Sequence, residues 1–263
     1  MIVVTGATGS IGGEVMRLLG EAARPVSRST RPPGDLERPE SLGLREGDRL
    51  LLNSSLWPGF VRAHQETIDL AAKAGVAQIV TVSVAGAEPG GLLGTGMHGE
   101  ADAHLRASGI PHAILQPVGF LQNLPGLVER SDEIVGSYGE ARVGYIDTRD
   151  IAAVAARILT DPIGPSATHL LTGGSAPTHA EVAAALAERL GRPITYLDLP
   201  VEQAAERLAG LYGIPVEAGL ALASLMAQVG DGRWASTTST VEDITGRAPR
   251  SLEDYLRDGW PVG

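Results

Sequence analysis

The sequence predicts an α/β fold: a doubly wound parallel sheet with a smaller, mostly helical lobe toward the carboxyl terminus. Three observations predict it. A buried-type strand, IVVT at residues 2–5, runs into a glycine turn and an apolar helical stripe. The same succession recurs through RLLLNSS (49–55), QIVTVSV (78–84) and PHAILQP (111–117), and it lapses after about residue 160. Strands alternating with helices imply a parallel sheet covered on both faces. A chain of 263 residues suffices for one such unit with a lobe attached. The expected division is 1–160 for the sheet domain and 161–263 for the lobe, within the same globule.

Each element has its own signal. After the first strand, Ile11, Val15, Leu18, Leu19 and Ala22 recur at helical spacing. Following RLLLNSS, a helix is expected from about Pro58 to the stop at Gly75, with Val61, Ile68 and Ala72 inward. After QIVTVSV the next helix is expected near 98–108, closed by Gly109. Asp147 or Thr148 caps a helix whose Ile151, Val154, Ala155, Ile158 and Leu159 form one stripe. THLLT (168–172) reads as a strand, Thr178 and Glu181 as a capping box for a helix ended by Gly191, and Ser251 and Asp254 as the start of the last helix. Between Ser27 and Leu50 there is little room for a full helix plus a strand, and Pro32-Pro33 disfavours a helix there. The second βαβ unit is therefore expected to be shortened.

Composition narrows the function. A formal charge of −10 without a basic cluster argues against nucleic acid as a partner. With no cysteine, disulfides, thiolate metal sites and cysteine nucleophiles are excluded, and the scatter of the six histidines gives no reason to expect a metal. MIVVTG carries neither a basic n-region nor a long apolar segment, so a cytoplasmic protein without a membrane partner, monomeric or homodimeric, is expected.

The motif that carries chemistry is Gly6-Ala7-Thr8-Gly9-Ser10-Ile11-Gly12, between the first strand and the first helix. Glycine is required where the backbone turns sharply, where it approaches a pyrophosphate, and where helix and strand pack closely. Free N–H groups at the helix start then hold phosphate charge. The strand-to-helix context favours dinucleotide binding over a merely structural turn. An acid after the second strand binds ribose hydroxyls, whereas arginine accommodates a 2′-phosphate. PVSRSTRPP puts Arg28 and Arg31 there, with no acid before Asp35. NADP(H) is thus favoured over NAD(H), unless these arginines are only solvated surface charges.

Taken together and in order, VTGATGSIGGEV, GDL, SVAGA, HGEADAHLRASGIPHAILQPVGFLQNL and YIDTRDIA resemble the NmrA-like group of atypical short-chain dehydrogenases/reductases. The likeness covers most of residues 1–160; TGRAPRSLEDYL is similar only in style. The resemblance implies an NAD(P)-binding Rossmann domain in which Gly6, Thr8, Gly9, Ser10, Ile11 and Gly12 hold the pyrophosphate. It implies Arg28 and Arg31 at the 2′-phosphate, Asp35 and Leu36 at the adenine, and Asn53, Ser54 and Ser55 on the cofactor ribose side. Ser83 and the Pro117-Val118-Gly119-Phe120 segment would flank the nicotinamide, with Met97, Phe120, Gln122 and Asn123 lining a substrate pocket.

The chain departs from the wider superfamily in one respect that bears on mechanism. No Tyr-x-x-x-Lys pair is present: the lone lysine is Lys73, and no tyrosine precedes Tyr138. The candidate catalytic residues are Ser83, at a strand end, and His98. Ser83 either hydrogen-bonds a developing oxyanion or is bonded to backbone. His98 either supplies a proton near neutral pH or is held neutral by its place at a helix start, unless Glu100 or Asp102 offsets the dipole. Asp147 and Asp150 read as caps rather than acids. The resemblance implies an NAD(P)H-dependent oxidoreductase acting on a carbonyl or quinone group of an apolar, polyaromatic or secondary-metabolite small molecule. The alternative is a non-catalytic dinucleotide sensor that binds a protein partner.

Overall fold

Apolar runs too short for helices become strands, and the amphipathic stretches between them become helices. In chain order these are β1 (Ile2–Thr5), α1 (Ser10–Leu19), β2 (Ala23–Val26), β3 (Arg49–Leu52), α2 (Phe60–Ala74), β4 (Gln78–Val82), α3 (Leu93–Ala107), β5 (His112–Pro117), α4 (Leu124–Val128), β6 (Glu133–Gly136), α5 (Thr148–Thr160), β7 (Ala167–Leu171), α6 (His179–Leu190), β8 (Thr195–Asp198), α7 (Val201–Tyr212), α8 (Val216–Val229), α9 (Thr240–Thr245) and α10 (Leu252–Asp254). They are those of a computed structural model, which describes residues 1–229, 232 and 234–260.

The chain divides into two compact units. The first comprises Met1–Pro117, Thr148–Leu171 and Thr240–Arg247. Its six strands pair in the order β2-β1-β3-β4-β5-β7, every pair parallel. This is the doubly wound parallel sheet that the sequence predicts. Successive strands run one way from β1 to β2 and the other way from β1 to β3, so the order reverses between β1 and β3. In open parallel sheets the crevice beyond the carboxyl ends at that reversal is where ligands bind.

Residues alternate across the sheet. Val3, Leu50, Leu52, Ile79 and Ile114 share a core with Ala63, Ile68 and Ala71 of α2 and Leu105 of α3. The neighbouring Val4, Leu51, Val80 and Leu115 are equally buried on the opposite face, where α5 contacts β3, β4 and β5 and packs against α1. The buried stripe of α2 is Phe60, Ala63, His64, Thr67, Ile68 and Ala71, so of the three positions expected inward only Ile68 is fully buried. Between β2 and β3 the chain forms only a 3-10 turn, Pro39–Leu42, in place of a helix and further strand. β2 is left as the sheet edge, where Pro25 costs no ladder bond in a central strand.

The second unit comprises Val118–Asp147, Thr172–Ser239 and Ala248–Gly263. It departs from the expected single boundary after residue 160, because Val118–Asp147 joins this unit while Thr148–Leu171 and Thr240–Arg247 return to the first. It is also less purely helical than expected: β6 and β8 pair in parallel as a two-stranded sheet. Thr178 and Glu181 form the expected capping box at the start of α6, and Ser251 and Asp254 another before α10. Val182, Leu186, Leu124, Ile134 and Tyr255 build one core of this unit, and Ala204, Leu208, Ala223 and Met226 of the α7–α8 pair another. Among the described residues, no helix is long and apolar enough to cross a membrane.

Candidate functional site

The turn after β1 is built from close backbone approaches that only glycine permits. Gly6 has φ +61°, and a Cβ there would lie 2.5 Å from the Asn53 carbonyl oxygen, at the end of the neighbouring β3. A Cβ on Gly12 would lie 2.2 Å from the Gly6 carbonyl oxygen. The Gly9 N–H donates to Gly6 O at 3.0 Å, and Gly9 caps α1 without a side-chain acceptor. No acidic residue stands in the first turn of α1, and the first amides of a helix lack intrahelical acceptors. This cradle at the β1/β3 reversal fits a pyrophosphate by its donors, its sterics and its helix dipole. Thr5 fastens the adjoining strand end: its Oγ1 accepts from the Asn53 N–H and donates to the Asn53 carbonyl, each at 2.9 Å.

The other residues expected at the cofactor are differently disposed. Arg28 and Arg31 follow β2, are exposed, and have no ion-pair or hydrogen-bond partner for their guanidinium groups among the described residues. Asp35 accepts from the Glu37 N–H at 3.1 Å, shaping its own turn. The Leu36 side chain packs in the core with Val26 and Leu42. Ser54 Oγ lies 3.0 Å from His64 Nε2, and Ser55 is exposed.

Ser83 lies just past β4, and its N–H extends the sheet pairing by donating to Leu115 O at 2.7 Å. Its hydroxyl goes neither to backbone nor to an open cleft. Ser83 Oγ donates to Asp102 Oδ2 at 2.7 Å, with Gln116 Nε2 at 3.4 Å from the same oxygen. Ser83 and Asp102 are each 1% exposed. Burial raises the Asp102 carboxyl above its usual range, against the lowering effect of its hydrogen bonds from Ser83 and Gln116. The sequence singled out Asp102 only as a possible offset to a dipole; its partnership with Ser83 spans a loop and more than two turns of α3.

His98 is not at a helix start. α3 begins five residues earlier, at Leu93, because the Glu88–Gly91 loop packs so tightly on it that a Cβ on Gly96 would lie 2.3 Å from Gly91 O and one on Gly99 2.0 Å from Glu88 C. The helix dipole is therefore not what governs His98. Its ring is buried, edge-on to Phe60 at 4.8 Å between centroids, and burial pushes its pKa down to about 4. His64 packs at a tilt on the same Phe60, 3.9 Å between centroids, and is held down at about 3, by burial first and by His98 second. Met97 is half-buried.

In the second unit, Gly119 lies under the Tyr145 ring, 2.6 Å from where its Cβ would stand, and Phe120 bridges Ile146. Val118 is buried, whereas Pro117 closes β5 in the first unit. Gln122 Nε2 donates to Asp147 Oδ1 at 2.9 Å, and Asn123 is exposed. Tyr145 Oη lies 2.8 Å from His179 Nε2, and His179 stacks on Tyr138 at 3.6 Å. A cavity of about 530 Å³ in this unit is lined by Ser137–Arg142, Gly232 and Ala235, none of them among the expected substrate residues.

Residues 45–162 match the family described as NAD(P)H-binding. The chain is 34% identical to NAD(P)H azoreductase of Xenophilus azovorans, over 98% of this chain and 97% of that protein. It is 34% identical to (4-alkanoyl-5-oxo-2,5-dihydrofuran-3-yl)methyl phosphate reductase of Streptomyces griseus, over 97% of this chain and 96% of the relative. Among solved structures, the NADPH complex of the quinone oxidoreductase QOR2 from Escherichia coli shares the fold with a TM-score of 0.84 at 24% identity, over 98% of this chain and 99% of that one.

Proposed function

This chain belongs to the NAD(P)H-binding, NmrA-like group of atypical short-chain dehydrogenases/reductases and is an NAD(P)H-dependent reductase, and on that premise we propose that it reduces azo, quinone or similarly conjugated groups of apolar small molecules. The reading prefers NADPH to NADH and dispenses with a dedicated protein acid. The relationship to a named azoreductase over nearly the whole chain favours catalysis over the sensor alternative.

The observation that carries the acceptor class is the state of Ser83 and His98. The Ser83 proton is committed to Asp102, and a histidine with a pKa of about 4 holds no second proton near neutral pH. Neither residue delivers a proton at the moment negative charge develops. A simple ketone would leave a localised alkoxide needing a strong donor, whereas a quinone spreads the charge within its own conjugation as a phenolate.

The cradle residues have separate tasks. The backbone amides at the start of α1, after Gly9, hold the pyrophosphate, while Gly6 and Gly12 keep Cβ atoms out of its way. Arg28 and Arg31, unengaged among the described residues, take the 2′-phosphate. Bound NADPH supplies the hydride. Calorimetric titration with each nucleotide tests this: tighter binding of NADPH than NADH is expected, and binding of neither overturns the reading.

A further inference from the structure

Ser54 stands one residue beyond Asn53, at the carboxyl end of β3 and beside the Gly6 turn where the strand order reverses. Its hydroxyl has one partner among the described residues, His64 Nε2 at 3.0 Å. His64 reaches it from α2, 1% exposed, among Trp57, Phe60 and His98. The other ring nitrogen, Nδ1, is buried without a partner among the described residues.

That orphan fixes the tautomer. In a neutral imidazole one nitrogen carries the hydrogen and the other a lone pair. A buried N–H without an acceptor is rarer and costlier than an unpaired acceptor. The tautomer that avoids this cost carries the hydrogen on Nε2, donates it to Ser54 Oγ and leaves the lone pair on Nδ1. With its lone pair engaged by His64, the half-buried Ser54 keeps its own O–H for a group outside the protein.

We propose that His64 is a positioning residue that holds Ser54 as a hydrogen-bond donor to an oxygen of the bound dinucleotide at the β1/β3 reversal. The proposal rests on the dinucleotide-binding reading given above. Thr5 anchors Asn53 and His64 anchors Ser54, so the exit of β3 is fixed at two successive residues. His64 acts through Ser54 and touches neither cofactor nor substrate.

Two measurements test it. Nitrogen-15 NMR of the imidazole should show His64 protonated on Nε2; protonation on Nδ1 overturns the proposal. In NADPH titrations, H64F should raise Kd and the KM for NADPH about tenfold, as expected for one lost hydrogen bond, with kcat moving less than threefold. H64Q, which can return a side-chain N–H to Ser54, should recover most of the affinity. S54A should match H64F, and S54A/H64F should be no worse than either. Full affinity in H64F, or additive losses in the double variant, overturns the proposal. Should H64F fail to fold, H64Q against S54A decides: retained affinity in the first and loss in the second support the proposal, and equal affinities overturn it. Wild-type protein that binds neither NADPH nor NADH overturns the underlying reading and this proposal with it, whereas tight wild-type binding with an indifferent H64F overturns this proposal alone.

Discussion

Ser83 Oγ donates to Asp102 Oδ2 across 2.7 Å, with both side chains buried. The bond turns the hydroxyl of Ser83 toward the protein interior. S83A should therefore act on stability more than on chemistry, because it leaves Asp102 with only the long contact from Gln116. A loss of about 1–3 kcal/mol in urea unfolding is expected, with kcat reduced by less than about tenfold. A direct proton donor would instead lose about a hundredfold or more in kcat with little change in stability.

His98 and His64 make folding sensitive to acid. Above their ordinary pKa near 6.5 both are neutral in the folded and unfolded chains, and they add no pH dependence. As pH falls below 6.5, the unfolded chain takes up protons that the buried rings refuse, so stability is lost down to about pH 4 for His98 and about pH 3 for His64. Between about pH 7 and about pH 5, H98F should lose roughly 2 kcal/mol less stability than the wild type, at about 1.4 kcal/mol per pH unit below the unfolded pKa. Equal losses in urea titrations at the two pH values would contradict the buried, neutral assignment.

The glycine turn makes a sharper prediction. A Cβ at Gly12 would press on the backbone of Gly6, whereas one at Gly13 would meet Ala7 O at an ordinary 3.5 Å. G12A should weaken NADPH binding by more than about tenfold, through displacement of the phosphate cradle. G13A should leave binding as it is and raise the melting temperature slightly, since alanine is favoured over glycine inside a helix by roughly 0.5–1 kcal/mol. Calorimetry and thermal unfolding of the two variants check this directly.

Arg28 and Arg31 bear on the choice of nucleotide. The double variant R28A/R31A should raise the KM for NADPH by roughly ten- to a hundredfold while changing that for NADH less than threefold, since only NADPH carries the 2′-phosphate proposed for them. The NADPH preference of the wild type should also shrink with added salt, as befits exposed charges. Parallel changes for both nucleotides would assign the two arginines to the surface.

Local chemistry was legible in the sequence, and partnerships over distance were not. The approach of Gly12 to Gly6, the Thr178–Glu181 box and the gap around Pro32-Pro33 each act within a few residues of themselves, so pattern alone reveals them. The pairing of β6 with β8 joins four-residue strands some sixty residues apart, with no alternation long enough to announce either. The early start of α3 overrides the poor helix propensity of Gly96 and Gly99, because close packing on Gly91 and Glu88 requires glycine there. At the site, the sequence offers His64 only as one of six scattered histidines; its contact with Ser54 and its Nδ1, without a partner among the described residues, appear only when α2 and the end of β3 come together.

The most direct test of the account is steady-state NADPH oxidation by the wild-type enzyme near neutral pH, comparing quinones and azo dyes with unconjugated ketones of similar size and polarity. The absence of a protonated acid at Ser83 and His98 predicts turnover with the conjugated acceptors and none above background with the simple ketones. Comparable rates on both, or a simple ketone preferred, would show that the protein supplies a proton donor after all and would contradict the account.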